Sequence, residues 1–317
     1  VSTPSDPEAE LEAEPEADEK TQPLPRITAE RSERNPVRER TGVLLINLGT
    51  PDAPSVSAVR RYLREFLSDP RVLDMPAWSR WLLLYGVVLP VRPFRSARAY
   101  RKVWTDLGSP LLKHSRAFAE RLRERLGSSY AVEIGMTYGQ PSIDVALERL
   151  AAASVSRTVV WPLFPQFAAS STGAALESAY DAAGARWNVP ILSVVPPFYA
   201  DAGFIRALAD VTRPLLEKTS PDHVLMSYHG LPERQIRRSD ESGRFCLASG
   251  SCCESVGQTN RSCYRAHCYE TSRRLARALE LDENAYSVSF QSRLGPTPWV
   301  RPYTDEVLPE LARRGVR

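Results

Sequence analysis

The chain has 317 residues, 43% of them hydrophobic and 25% charged, with a net charge of +3 and a mean hydropathy of −0.32. That length fits one large or two medium domains, and an odd count of five cysteines excludes a disulfide scaffold. The longest uncharged apolar run, 81–91, has eleven residues. As a helix it would cover about 16 Å of a ~30 Å bilayer core, so no membrane span is expected, and no secretory signal is visible.

Residues 1–40 sum to a charge of −5, which leaves +8 on the rest. This first stretch holds six Pro and almost no large apolar side chain. It cannot bury enough surface to offset the entropy of ordering, so it reads as a disordered acidic tail. A mildly basic body suits an anionic substrate or membrane surface and is too weak to imply nucleic acid.

From residue 41 onward, strand-like and helix-like segments alternate. The apolar run 43–48, closed by Gly49-Thr50-Pro51, reads as a buried parallel strand. Ser55 can cap a helix whose Val59, Leu63 and Phe66 share a face. Phe118, Leu122 and Leu126 form a second stripe, with Gly127 as its C-terminal stop. A strand over 131–136, a helix marked by Ile143, Leu147 and Leu150, and strands over 157–163 and 190–195 follow. Beyond Pro196-Pro197, a natural hinge, the pattern predicts a helix near 203–216, a strand over 223–228, a helix near 268–279 and a strand over 286–290. Repeated βα units imply an α/β fold with parallel sheets, whose ligand sits at the carboxyl ends of the strands.

Few residues carry chemistry. Of four histidines, only His229 follows a strand and precedes a Gly turn, the setting of a general base or metal ligand; a locally bonded turn residue is the plainer alternative. His114 and His267 lie on helices among charged neighbours and read as surface residues, and His223 is given no role. Neither a phosphate-cradling Gly loop nor a GxSxG elbow is present. All five cysteines, Cys246, Cys252, Cys253, Cys263 and Cys268, fall within 23 residues. A Ser- and Gly-rich loop over 239–262 holds three of them and Cys263 follows directly, a gathering of four thiols that favours a metal or Fe–S site over disulfides. The spacing itself leaves zinc and iron–sulfur open, and chance free thiols as the third reading.

Taken together, the loops resemble one family. Leu45-Ile46-Asn47-Leu48-Gly49-Thr50-Pro51, Trp161-Pro162-Leu163-Phe164-Pro165-Gln166-Phe167 with Ser171-Thr172-Gly173, Ser227-Tyr228-His229-Gly230-Leu231-Pro232, and Phe290-Gln291-Ser292-Arg293 with Gly295-Pro296 and Pro298-Trp299 are similar, in order, to ferrochelatase motifs over about 42–317. The resemblance implies two Rossmann-like lobes of the type II chelatase kind, 41–196 and 197–317, around a porphyrin cleft. It implies insertion of Fe²⁺ into protoporphyrin IX to give protohaem with release of two protons. His229 becomes the catalytic and iron-handling residue, and Arg92, Tyr100 and Ser109 become porphyrin contacts.

The apolar run 78–91 matches the family's cleft lip, which touches a membrane surface; an ordinary core helix is the alternative. The insert 239–268 is similar to that of bacterial members holding a [2Fe–2S] cluster, here through Cys246, Cys252, Cys253 and Cys263, with Cys268 as substitute for one of them. Leu48 stands where coproporphyrin-type members carry Tyr, which favours protoporphyrin. A cytoplasmic protein, peripheral to the inner membrane, is the matching expectation.

Two departures stand out. Thr137 occupies a position where many members have Arg, and the family continues past residue 317 with a further strand and helix carrying an acidic partner for the histidine. The sequence therefore reads as lacking that end, since Asp305 and Glu306 belong to the start of the preceding helix. Two alternatives follow: a chelatase-like fold that binds porphyrin or an Fe–S cluster without turnover, and a chelatase for another metal or tetrapyrrole. Oligomeric state is not legible.

Overall fold

The computed structural model describes residues 40–316. The tail expected over 1–40 lies outside the described residues except for Arg40, which opens the first strand.

The run read as a buried strand is β1, Arg40–Thr50. Leu44, Leu45 and Ile46 have no exposed surface, as expected of a strand covered on both faces. β1 lies between β2 (Tyr130–Gly139) and β3 (Val155–Pro162), with β4 (Leu192–Val194) beyond β3. All pairings are parallel, and Val43 sits opposite both Val132 and Val159. Alternation along β1 makes the two layers of the core. Val43 and Leu45 pack with Ala119 of the helix Pro110–Leu126, while Leu44 and Ile46 pack with Ile143, Leu147 and Ala179 on the other face.

The helices of this half are α1 (Val56–Ser68), α2 (Ala77–Leu82), α3 (Leu89–Val103), α4 (Pro110–Leu126), α5 (Ile143–Ala152) and α6 (Ala174–Gly184). Ser55, Ser109 and Ser142 each accept an N–H in the first turn of α1, α4 and α5, a cap worth about 1 kcal/mol. The expected stripe on α4 is displaced: Ser115 and Ala119 are buried, whereas Phe118 is 39% exposed. The helix lies close against β1, so small side chains occupy the contact and large ones flank it. α6 is not among the expected elements, because its buried face is Ala175, Ala179 and Ala183, too small to register as a hydrophobic stripe.

The second half holds α7 (Ala202–Thr219), β5 (Val224–His229), α8 (Glu233–Arg238), α9 (Tyr264–Ala278), β6 (Tyr286–Gln291) and α10 (Thr304–Arg313). β5 and β6 pair in parallel, with His229 opposite Gln291. Asp305 and Glu306 occupy the first turn of α10, as expected.

Two features shape the strand ends. Gly49 has φ +108°, and a Cβ there would lie 1.7 Å from the Tyr138 carbonyl oxygen, so only glycine lets the end of β1 lie against β2. Between α2 and α3 the chain makes a π-helical turn, Leu83–Val88, a distortion frequent at functional sites. The core-helix alternative holds for only part of this run: Leu84 and Leu89 are buried in a core cluster, whereas α2 buries no residue and Trp78 and Trp81 are 73% and 62% exposed.

Candidate active site

His229 is the last residue of β5, a short strand that stops before Gly230. A Cβ on Gly230 would meet the Gln291 oxygen at 3.0 Å and the Trp299 ring at 3.3 Å, so the turn packs tightly under the histidine. The imidazole is exposed, and among the described residues no side chain hydrogen-bonds to it. Partial desolvation holds its pKa below the ordinary histidine value. At neutral pH the ring is therefore uncharged, free to take a proton or a metal ion.

Arg92 and Tyr100 both lie on α3; burial raises the Tyr100 phenol pKa, and the nearby Arg92 charge opposes that rise. Tyr100 also meets Trp104 edge-on at 6.2 Å. Ser109 is buried as the cap of α4, its Oγ accepting the Leu112 N–H at 3.2 Å. It lines a cavity of about 650 Å³ with Thr50, Trp104, Arg116 and Gln140, at the carboxyl ends of β1 and β2. Thr50 Oγ1 is buried there without a partner. Among the described contacts none joins His229 to Arg92, Tyr100 or Ser109. Thr137 is buried in β2, where its hydroxyl donates to the Asn47 carbonyl at 3.2 Å.

The cysteines form a dry nest. All five are buried and free of disulfides. Cys252 and Cys253 have sulfurs 3.7 Å apart, and Cys263 meets the thiols of both Cys246 and Cys253. Cys268 instead meets the Tyr264 hydroxyl. Arg265 brings its guanidinium 3.3 Å from the Cys253 sulfur and 3.9 Å from that of Cys252. Four soft donors beside a cation, away from water, fit a cluster that carries negative charge. Among the described residues no three His, Cys, Asp or Glu side chains stand in metal-coordinating geometry.

Two buried polar residues shape this loop. Asp240 accepts from the N–H groups of Ser242, Phe245 and Cys246 and from the Ser242 hydroxyl, at 2.7 to 2.9 Å. These bonds, the Ser242 hydroxyl first, hold its carboxyl well below the usual range. Asn260 accepts the Gly257 N–H at 2.7 Å and donates to the Cys252 and Ser255 carbonyls at 3.0 and 2.8 Å.

The surface reading of His267 is wrong. Its side chain has no exposed surface, because the inward face of α9 carries Ala266, His267, Cys268, Thr271 and Ser272 while the charged neighbours that suggested a surface take the other side. The ring stacks on Tyr199 with centroids 3.7 Å apart. Nδ1 accepts the Phe167 N–H at 3.1 Å, and Nε2 lies 2.8 Å from the Arg261 carbonyl, to which it donates. Burial pushes its pKa to about 4. His114 is exposed, as expected. Sequence reasoning did not single out Asp240, Asn260, Tyr264 or Arg265; their only signal is proximity in the chain to the cysteines.

The chain that carries these strand-end loops matches a known family. The ferrochelatase family model matches residues 40–317. The chain belongs to the ferrochelatase family. A ferrochelatase of Coxiella burnetii (strain Dugway 5J108-111) is 45% identical over 278 residues, covering 88% of this chain and 77% of that protein. A ferrochelatase of Legionella pneumophila (strain Corby) is 42% identical over 278 residues, covering 88% of this chain and 82% of that protein. As a ferrochelatase-family member the chain is a metal chelatase, a lyase that inserts iron into protoporphyrin in haem synthesis, and its parallel-sheet α/β architecture agrees with the type II chelatase fold.

Proposed function

We propose that His229 is the residue that takes a pyrrole proton and hands iron to the ring. The observation that carries this reading is an uncharged, exposed imidazole at a strand end. Each insertion exchanges two pyrrole N–H protons for one Fe²⁺, so the site needs a neutral base that can also hold a metal. Lobes 41–196 and 197–317 form the cleft, and Arg92, Tyr100 and Ser109 contact the porphyrin, the guanidinium facing its carboxylates and the two hydroxyls donating to them. Anaerobic assay of Fe²⁺ insertion into protoporphyrin IX, against coproporphyrin and against Co²⁺ or Ni²⁺, tests the substrate pair; binding without turnover would identify a carrier instead.

Cys246, Cys252, Cys253 and Cys263 hold a [2Fe–2S] cluster in this reading. Such a group supplies one-electron redox chemistry and a rigid cross-link when bound. Support comes from the four gathered thiols and the Arg265 cation, and from Cys268 being engaged by Tyr264 instead. Protein purified anaerobically should be coloured before porphyrin is added and contain equal iron and acid-labile sulfide. Stoichiometric zinc without sulfide would replace the cluster with a zinc site.

The lip meets a membrane surface from the cytoplasmic side. Trp78, Trp81, Leu82, Tyr85, Val87 and Phe94 are all exposed. From Met75 to Thr105 there is no acidic residue and there are six basic ones, which suits anionic headgroups. No described helix is long and apolar enough to cross a membrane, so contact is peripheral. Sedimentation with anionic phospholipid vesicles should weaken at least tenfold in Trp78→Ser/Trp81→Ser, the loss of two interfacial anchors; unchanged binding would remove the lip from this role.

A further inference from the structure

We propose that Tyr264 is a positioning residue for His229, and that the thiol nest sets the placement of the imidazole through it. This rests on the assignment of His229 above. Among the described strands β5 has one partner, β6. On that side the Gly230 N–H donates to the Gln291 carbonyl at 2.8 Å. On the opposite side, where no described strand lies, the Tyr264 hydroxyl donates to the His229 carbonyl at 2.9 Å. That carbonyl and that N–H belong to one planar peptide unit, so the two bonds fix its orientation from both edges. The unit leaves the His229 Cα, and its rotation would swing the side chain. The preceding residue is tied to the same helix, with the Tyr228 hydroxyl 2.9 Å from the Ser272 hydroxyl.

The helix that supplies Tyr264 begins in the thiol nest. Cys263 is the N-cap of α9, and its carbonyl accepts the His267 N–H at 3.0 Å. Tyr264 is the next residue, and its hydroxyl also meets the Cys268 thiol. Farther along, Thr271 is anchored to the Tyr199 carbonyl at 2.8 Å and to Gln166 at 3.0 Å. A helix pinned there cannot slide as a whole. A change at the Cys263 cap is therefore expressed in the first turn, where Tyr264 sits.

Tyr264→Phe in the full chain tests this, because it keeps the ring and removes the hydroxyl. The kcat for Fe²⁺ insertion should fall about tenfold, with KM for protoporphyrin IX within about twofold, since displacement of a reacting group acts on the rate. In porphyrin-free protein, modification of His229 by diethyl pyrocarbonate, read by peptide mass spectrometry against exposed His114, should change at least about threefold. Cys263→Ser, which removes the thiol and keeps the backbone carbonyl that accepts the His267 N–H, should change His229 reactivity in the same direction, and the double variant should add nothing further. Unaltered kcat and His229 reactivity in Tyr264→Phe would overturn the proposal, as would additive effects in the double variant. Should Tyr264→Phe fail to fold, unchanged His229 reactivity in Cys263→Ser overturns it alone. An active His229→Ala protein would bring down the assignment of His229 itself, whereas an inactive one beside a normal Tyr264→Phe brings down only this inference.

Discussion

Replacing His229 with alanine should slow iron insertion about 10²–10⁴-fold, the usual loss when a positioned acid–base group is removed, while porphyrin still binds. Porphyrin contacts are assigned to the other half of the chain, on α3 and at the start of α4, so the substitution leaves them in place. The pH dependence has a definite sign. Desolvation lowers the His229 pKa below its ordinary 6.5, so the imidazole is neutral above that lowered value. Turnover should persist as pH falls to 6.5 and decline only below it, as the ring takes a proton. Fluorescence quenching measures porphyrin affinity and anaerobic assay measures turnover. A variant retaining more than about a tenth of wild-type turnover would contradict the assignment.

His267→Ala should be the most destabilising single change at a histidine, by about 3 kcal/mol. It strands the Phe167 N–H and the Arg261 carbonyl, both bonded to the ring, at about 1 kcal/mol or more each, and it leaves a void beneath Tyr199. The melting temperature should drop by about 5 °C for a chain of this size. His114→Ala, at an exposed position, should shift it by less than about 2 °C. Chemical denaturation that puts the His267→Ala loss under about 1 kcal/mol would show that water replaces the ring without cost.

The sequence was most legible where hydrophobic runs are long and caps are side chains. β1 announces itself through 43–48, and Ser55 caps α1 as its position suggested. Legibility failed where contacts are made by small residues or span the chain. α6 packs through alanines. His267 faces inward because Phe167, a hundred positions earlier, folds against it, and no local pattern encodes that pairing. The catalytic assignment came from motif resemblance more than from periodicity, since a strand followed by His-Gly is common. The thiol cluster was visible as crowding, but the residues that shape it carry no metal-ligand signature and emerged only from their hydrogen bonds.

The hold of Asp240 and Asn260 on the cysteine loop has a consequence for how the proposed cluster would be loaded. Each uses its side chain in place of a strand or helix neighbour, and together they fix backbone at Ser242, Phe245, Cys246, Cys252, Ser255 and Gly257. A flexible loop of this length would have to surrender its conformational freedom at the moment a ligand bound, at roughly 1–2 kcal/mol per residue. Here that ordering belongs to folding of the chain itself. If the proposed cluster binds here, the sulfurs, which do not stand in coordinating geometry, would rearrange within a backbone that is already held.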